Sequence, residues 1–519
     1  LGNESGRGQN HEAAASFARA LDPSRPIHYE GGINGNWTGG HSLTDVICPM
    51  YSSIKALVDY AKSGKQDRPL IMCEYSHAMG NSNGTLKEYW DAIHSTPGLQ
   101  GGFIWEFWDH GIEQTMADGT KRSAYGGDFG ETPHDGNFVC DGMVFPDRTP
   151  KPAMHEMKAI ASPVVISTTK ASSGSFTVTN RQYFKDLADF EAFWSINRNG
   201  EVIDSGKVVL PKIAPQKSAK ISVKSKSLLK PDAAGERFIN FTIVQKNRTD
   251  WAPAGHEVAW NQFALPSRKE SIPAAKNNNL FDIAVDDSGE IQIPFGVIAP
   301  ELSLWRAPTD NDRIGRMTTK WEQYGVRELE RTDCTITETS KSYKVVSEWQ
   351  TSTGFKVKQT QLLTPVAGGY TVKETIIVPK QFQDLARIGI NFEIDGALTN
   401  YTYFGTGPSE TYPDRKIGRI HKWESTVADQ YVPYVRPQEN GGHAGVRWFA
   451  LTDNAGHGIR IDLDKPRQVS ANPFRADQLA DATHDVELVP TGNTIVHIDA
   501  AHRGVGTASC GPDTLPQYL

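Results

Sequence analysis

Two glutamates stand where a carboxylate could do chemistry. Glu4 lies in "LGNESG" and Glu74 in "MCEYSHAMGNS", each just past an apolar run that reads as a strand. Cleavage of a glycosidic bond needs such a pair. One carboxylic acid protonates the leaving oxygen while the other carboxylate attacks or stabilises the oxocarbenium-like centre. Tyr51 and Trp105, at neighbouring strand ends, offer flat apolar faces to a sugar ring, and His77 adds a hydrogen-bond donor. Residue types alone leave the pair open. Strand-end carboxylates also cap helices or pair with arginine, and Glu30 and Glu106 are equally available.

The elements that must position these groups follow from hydrophobic spacing. Strand tips facing loops are where α/β barrels keep catalytic groups. Leu1 is expected to close a strand, with Gly6 and Gly8 turning the chain into the helical "NHEAAASFARAL". Further strands are expected at "RPIHYEGG", "DVICPMY", "RPLIMCEYSH" and "GGFIWEFWDHG", with helices at "SIKALVDYAKSG" and "TLKEYWDAIHS". Continuous apolar strands joined through helices predict a parallel sheet covered on both faces. Residues 1–161 are thus expected to supply part of a (β/α)8 barrel, with three strands and the body of a fourth unaccounted for.

From Ser162 the texture changes to strand alternation, with an Asn199-Gly200 hairpin turn, which predicts an immunoglobulin-like β-sandwich over residues 162–268. Residues 265–279, polar and aperiodic, read as a linker, and residues 280–519 as one large β-sandwich built from segments such as "DDSGEIQIPFG", "YKVVSEWQ" and "HGIRIDLD". The expected fold class is therefore multidomain, half a TIM barrel followed by two sandwiches.

Composition excludes several classes of function. Over 519 residues, Lys+Arg 54 against Asp+Glu 61 gives a net charge of -7 with no basic stripe, so the footprint of a nucleic-acid binder is missing. No apolar run reaches the ~18 residues of a membrane span. Cys48, Cys73, Cys140, Cys334 and Cys510 are odd in number and far apart, which is neither a disulfide framework nor a zinc spacing. A reducing, cytoplasmic location and a small polar ligand are expected.

The wording of the motifs is more specific. "LGNESG", "DPSRPIHYEGG", "ICPMY", "RPLIMCEYSHAMGNS", "LQGGFIWEFWDHG", "SAYGGDFGETPHD", "WRAPTDNDR", "GTGPSETYPDR", "YVPYVRPQENGG" and "RGVGTASCGP" resemble, in order and spacing, LacZ-type β-galactosidases of glycoside hydrolase family 2. The resemblance runs the length of the chain. It implies that the family's amino-terminal domains and first barrel strands precede Leu1, and that these 519 residues alone are inactive.

Carried over by position, Glu4 resembles the family's general acid/base and Glu74 its nucleophile, which implies a retaining double displacement with carboxyls about 5 to 5.5 Å apart. Glu4 is then expected to start protonated, raised by its neighbour and a partly desolvated pocket, and Glu74 ionised. By the same resemblance Tyr51 steadies the nucleophile, His77 and Asn3 meet galactose hydroxyls, and Trp105 is the floor under the sugar. Cys510 falls where many relatives carry a tryptophan that stacks on the leaving sugar.

The family also implies Mg2+, with Glu4 as one ligand, and Na+, held by the Phe138 carbonyl and Asp141. Relatives often have Asn at the latter position, and an extra negative charge there would tighten a monovalent cation or change which one is preferred. The expected partner is a β-galactoside such as lactose, and the full-length form is expected to be a homo-oligomer. Competing readings are a β-glucuronidase or β-mannosidase of the same family, and a non-catalytic carbohydrate-binding sandwich protein.

Overall fold

Short parallel strands behind a layer of helices open the chain in a computed structural model, which describes residues 1–229, 231, 233–268, 285–339, 342–366 and 368–519. Strands β1 (Leu70–Tyr75) and β2 (Leu99–Ile104) run parallel, and Ile47 and Met50 add parallel bridges to Leu70 and Glu74. Helices α1 (Gln9–Leu21), α2 (Ile54–Lys62) and α3 (Leu86–Ser95) form where apolar residues recur at helical spacing. Leu57 and Ala61 of α2 and Leu86, Tyr89 and Ile93 of α3 are buried in one core with Leu70, Met72 and Leu99. This packing holds the carboxyl end of β1, and so Glu74, in place.

Three expected strands do not form. Leu1 is exposed and residues 1–8 have no strand pairing. Residues 25–32 end in one 3-10 turn, Glu30–Gly32, and residues 45–51 contribute only the bridges at Ile47 and Met50. A strand persists only where a neighbour takes its hydrogen bonds. The first two meet their neighbours only through isolated bonds, such as Asp45 N–H to the Ile27 carbonyl at 2.8 Å and Glu4 N–H to Glu30 Oε1 at 2.6 Å, and not through a ladder.

Seven further strands follow a small hairpin, β3 (Ile112–Thr115) and β4 (Lys121–Ala124), and helix α4 (Pro152–Ile160). They are β5 (Val164–Ser167), β6 (Ser175–Asn180), β7 (Phe190–Arg198), β8 (Glu201–Val208), β9 (Ser218–Ser222), β10 (Arg237–Gln245) and β11 (Glu257–Ala264). The sheet β5-β6-β9 and the sheet β11-β10-β7-β8 share one core that includes Val164, Phe176, Val178, Ile239 and Phe241. Arg198 pairs with Glu201 across Asn199 and Gly200, whose φ values of 51° and 89° are those a two-residue hairpin demands. Of the expected linker, residues 269–279 lie outside the described residues.

The carboxy-terminal part stacks a seven-stranded sheet on a four-stranded one. The larger, in the order β12-β17-β22-β21-β20-β18-β19, contains β12 (Gly296–Ser303), β17 (Arg387–Asp395), β18 (Asn400–Gly407), β19 (Arg419–Thr426), β20 (His443–Thr452), β21 (Gly458–Asn472) and β22 (Asn493–His502). The smaller runs β13 (Leu329–Glu338), β14 (Tyr343–Thr351), β15 (Lys356–Val366) and β16 (Gly369–Ile377). Leu302 of β12 and Ala386, just before β17, pack with Trp349 and Val357 of the second sheet. The segment "DDSGEIQIPFG", expected as a strand, is mostly irregular, with an antiparallel bridge from Ile291 to Val285 around a turn in which the Asp286 carboxylate accepts from Ser288 N–H, Ser288 Oγ and Glu290 N–H. Such local bonds compete with a ladder.

Glu156 joins these parts. Buried on α4, it accepts the Ile417 N–H at 2.8 Å, and burial pushes its carboxyl up to about 8 despite the opposing charge of Arg415. A folded value above the unfolded one means that the native state holds a proton the unfolded chain releases. Stability is therefore full below about pH 4.5 and declines as pH rises through about 8, by on the order of a few kcal/mol. Thermal melts at pH 5.5 and pH 8 should differ less in Glu156→Gln than in the wild type. An unchanged difference removes Glu156 as its source.

Candidate active site

Glu74 sits at the buried end of β1 with 7% of its surface exposed. Burial raises its carboxyl above the ordinary value, while the neighbouring Tyr51 hydroxyl and the charge of His77 draw it back. The Tyr51 N–H donates to the Glu74 carbonyl at 2.9 Å, which fixes the two residues side by side. Glu4, Tyr51 and Ser76 take left-handed φ values of 51°, 47° and 51°. Non-glycine residues keep such conformations only where their surroundings over-determine them.

Residues 76–85, between β1 and α3, carry polar backbone and side chains through the interior, and the terminal sandwich supplies many of their partners. The N–H groups of Gly84 and Thr85 donate to the carbonyls of Gly506 (3.1 Å) and Asp414 (2.7 Å). Asn81 N–H donates to Gln438 Oε1 at 3.0 Å, and its amide donates to the Glu439 carbonyl at 2.7 Å. Arg415 donates to the Ser82 carbonyl while paired with Glu410 at 2.7 Å. Asn311 Nδ2 donates to Ser82 Oγ at 3.0 Å, and Asn311 Oδ1 accepts from Ser509 N–H at 2.9 Å. At Gly84 a Cβ would stand 2.0 Å from the Asp414 carboxylate, so only glycine permits this approach.

His77 is fully buried by the same clasp. Its Nδ1 lies 2.7 Å from Ser509 Oγ and its Nε2 3.4 Å from Asp141 Oδ2, and the ring stacks on Phe138 with centroids 5.3 Å apart. Beyond this approach to Asp141, Nε2 has no hydrogen-bond partner among the described residues. Trp105 Nε1 donates to Asp141 Oδ2 at 3.2 Å. Burial opposes the charge of Asp141, but the neighbouring His77 and Glu106 outweigh it and hold the carboxyl below its usual value. Glu106 moves the other way, to about 7, through burial and its contact with Asp141.

Glu74, Tyr51, His77, Trp105, Phe138 and Asp141 are thus brought together, and Cys510 reaches them from the other end of the chain. Its exposed thiol is pushed up to about 11 by partial burial and by the charges of Asp141, Glu74 and Glu4. Asn3 and Glu4 lie at the rim, both exposed, with the Glu4 N–H donating to Glu30 Oε1 at 2.6 Å. The desolvation expected around Glu4 is not there. Residues 1–10 run along the surface, and burial falls on Glu74 and Glu106 instead.

The donor set fits the two expected cations unequally. Asp141 Oδ1 is buried with no hydrogen-bond partner, an oxygen suited to a monovalent cation. Among the described residues no group of three or more His, Cys, Asp and Glu side chains is arranged to hold a metal, so toward Mg2+ Glu4 offers a single exposed carboxylate.

Sequence reasoning missed Ser509, Asn311, Gln438, Asp414 and Arg415. All lie in or beside the "WRAPTDNDR", "GTGPSETYPDR", "YVPYVRPQENGG" and "RGVGTASCGP" motifs, whose polar residues were the available signal. Ser509→Ala should free His77 Nδ1 and cost about 1 kcal/mol in urea unfolding. It should also move the His77 ring-nitrogen NMR signals, and unchanged signals would show that Ser509 does not set the ring.

With this geometry in hand, the comparisons are specific. Residues 1–166 match the family model described as glycosyl hydrolases family 2, TIM barrel domain; residues 176–266 match beta-galactosidase, domain 4; residues 284–519 match beta galactosidase small chain. A beta-galactosidase of Arthrobacter sp. (strain B7) is 32% identical, over 100% of this chain and 56% of that protein. Those of Priestia megaterium and Photobacterium profundum are 30% and 31% identical, over 98% of this chain and 51% and 53% of theirs. The chain spans about half the length of the curated relatives it matches. With the three family models matched in succession along its length, the chain belongs to the LacZ-type β-galactosidases of glycoside hydrolase family 2.

Proposed function

We propose that this chain carries the reacting groups of a retaining β-galactosidase acting on terminal β-galactosides such as lactose. The observation that supports this most is the setting of Glu74. It is a buried carboxylate at a strand end, with Tyr51 fixed beside it and Glu4 in electrostatic reach. In the first step Glu74 bonds to the anomeric carbon as the glycosidic bond breaks, and Glu4 gives its proton to the departing oxygen. In the second, Glu4 takes a proton from water, which attacks the anomeric carbon and releases Glu74. Exposure of Glu4 at the rim suits a group that must meet the leaving sugar and then water.

The remaining groups bind and orient. Trp105 offers its ring to the apolar face of galactose, while Asn3 and His77 Nε2 are assigned to hydroxyls. The Phe138 carbonyl and Asp141 would hold Na+, which supplies a fixed positive charge beside those hydroxyls. The partners read from the sequence, a small β-galactoside and further copies of the chain, belong to this proposal, as does a cytoplasmic location. No helix among the described residues is long and apolar enough to cross a membrane.

A 2-fluoro-β-galactoside, which traps the covalent intermediate, should label Glu74 in the complete gene product, and Glu74→Gln should abolish both label and turnover. Label on Glu30 or Glu106 would overturn the assignment. In the same protein Cys510→Trp should tighten acceptor glucose several-fold, since aromatic stacking adds about 0.5 to 1.5 kcal/mol beyond burial. An unchanged share of galactosyl transfer to glucose, with the protein folded, would remove Cys510 from that subsite.

A further inference from the structure

A second cavity borders this site. It has a volume of about 520 Å³ and lies where the loop carrying Asn137 and Phe138 meets the terminal sandwich, which contributes Asp310, Arg313 and Arg436. The volume is in the roughly 300–1,000 Å³ range of small-molecule sites. Phe138 belongs to both places, lining the cavity and stacking on His77.

The two arginines and two carboxylates of this cavity balance in formal charge, but its hydrogen-bond donors are not all used. Arg313 Nη1 and Arg436 Nε are buried nitrogens with no hydrogen-bond partner among the described residues. Two carboxylates, Asp310 and Asp135, also line the space. Asp310 is already engaged, accepting from Asn137 Nδ2 at 3.0 Å and Gln438 Nε2 at 2.8 Å, and Arg313 Nη1 reaches it only at 3.6 Å. Asp135 is exposed, and Arg436 has no ion pair with any carboxylate among the described residues. Burial weakens the hold of Arg313 on its proton, Asp310 partly restores it, and the charge of Arg436 weakens it further. Two neighbouring guanidinium groups with unused N–H donors, one lacking a counter-ion, form a receptor for an anion with two or more oxygens.

We propose that this cavity binds the carboxylate or sulfate of an acidic sugar unit, the guanidinium groups of Arg313 and Arg436 taking the anion and Phe138 the apolar face of the ring. That the anion is carried on a sugar rests on the galactosidase reading; the anion site itself rests on the two arginines. Under that reading the natural substrates include galactosides whose neighbouring sugar is a uronate or a sulfate ester.

The test needs no turnover, so its failure and that of the galactosidase reading are separable. Sodium glucuronate, sodium sulfate and neutral glucose are titrated into the 519-residue chain by calorimetry. Glucuronate should bind saturably, more weakly as salt rises, and about tenfold or more tighter than glucose, since hydrogen bonds to a charged group are stronger than those to a neutral one. Arg436→Gln should lose that advantage, and Arg436→Lys should retain part of it. In wild-type protein carrying labelled methionine methyls, the Met79 signal, assigned through Met79→Leu, should shift with glucuronate, because Met79 lines the cavity. Absence of glucuronate binding, sulfate binding without glucuronate binding, full affinity in folded Arg436→Gln, or a silent Met79 methyl would each overturn the proposal.

Discussion

The buried polar loop 76–85 is the constraint on which the rest of this structure depends. A chain that turns inside a protein leaves N–H and C=O groups out of reach of water, and each unmet group costs free energy comparable to a lost hydrogen bond. Here the loop behind the proposed nucleophile is satisfied partly by nearby groups, the Trp105 and Cys140 carbonyls taking the Ala78 and Gly80 N–H groups, and for the rest by residues several hundred positions away. The Asp414 and Gly506 carbonyls take its last two N–H groups, Gln438 and Glu439 take Asn81, and Arg415 takes Ser82. The supporting side chains are bonded in their turn. Asp414 accepts from Val505 and Gly506 N–H at 2.9 Å each and from Thr514 Oγ1 at 2.7 Å, and Glu410 accepts from Tyr434 at 2.5 Å and Gly441 N–H at 2.7 Å. The large sandwich therefore acts as the second half of the site's wall.

This joint construction sets the electrostatics. By enclosing the end of β1, the sandwich dries Glu74, Asp141 and Glu106, and their carboxyls separate in proton affinity according to their hydrogen bonds. Asp141 keeps its charge because His77 and Glu106 face it, and Glu106 yields its own. Groups that start alike are sorted by environment, which is how one pocket can hold both an acid and a base.

Much of this was legible in the sequence, and the reasons differ by element. Helices α1, α2 and α3 and the hairpin at Asn199-Gly200 were readable because their signals are local, a helical period or a turn dipeptide. Residues 25–32 have the composition of a strand but no partner that forms a ladder, which composition cannot report, whereas residues 45–51 do lie along β1 and bond to it on either side of Pro49, which has no N–H to give. Tyr51, Glu74, His77 and Trp105 were found from residue type and position in the barrel pattern, and the structure places them together. Ser509, Asn311 and Asp414 escaped because their roles exist only once the ends of the chain meet. The exposure of Glu4 was equally invisible, since burial is a property of what packs on a residue.

The central claim, that the terminal sandwich holds the loop behind Glu74, is tested most directly by native-state hydrogen exchange at the Gly84 and Thr85 amides. If the clasp is the constraint, these two amides exchange only when the large sheet opens, with the same denaturant dependence as core amides such as Val496 and Phe449 of β22 and β20. Exchange of Gly84 and Thr85 at the rate of the surface helix α1, while β20 and β22 stay protected, would contradict it.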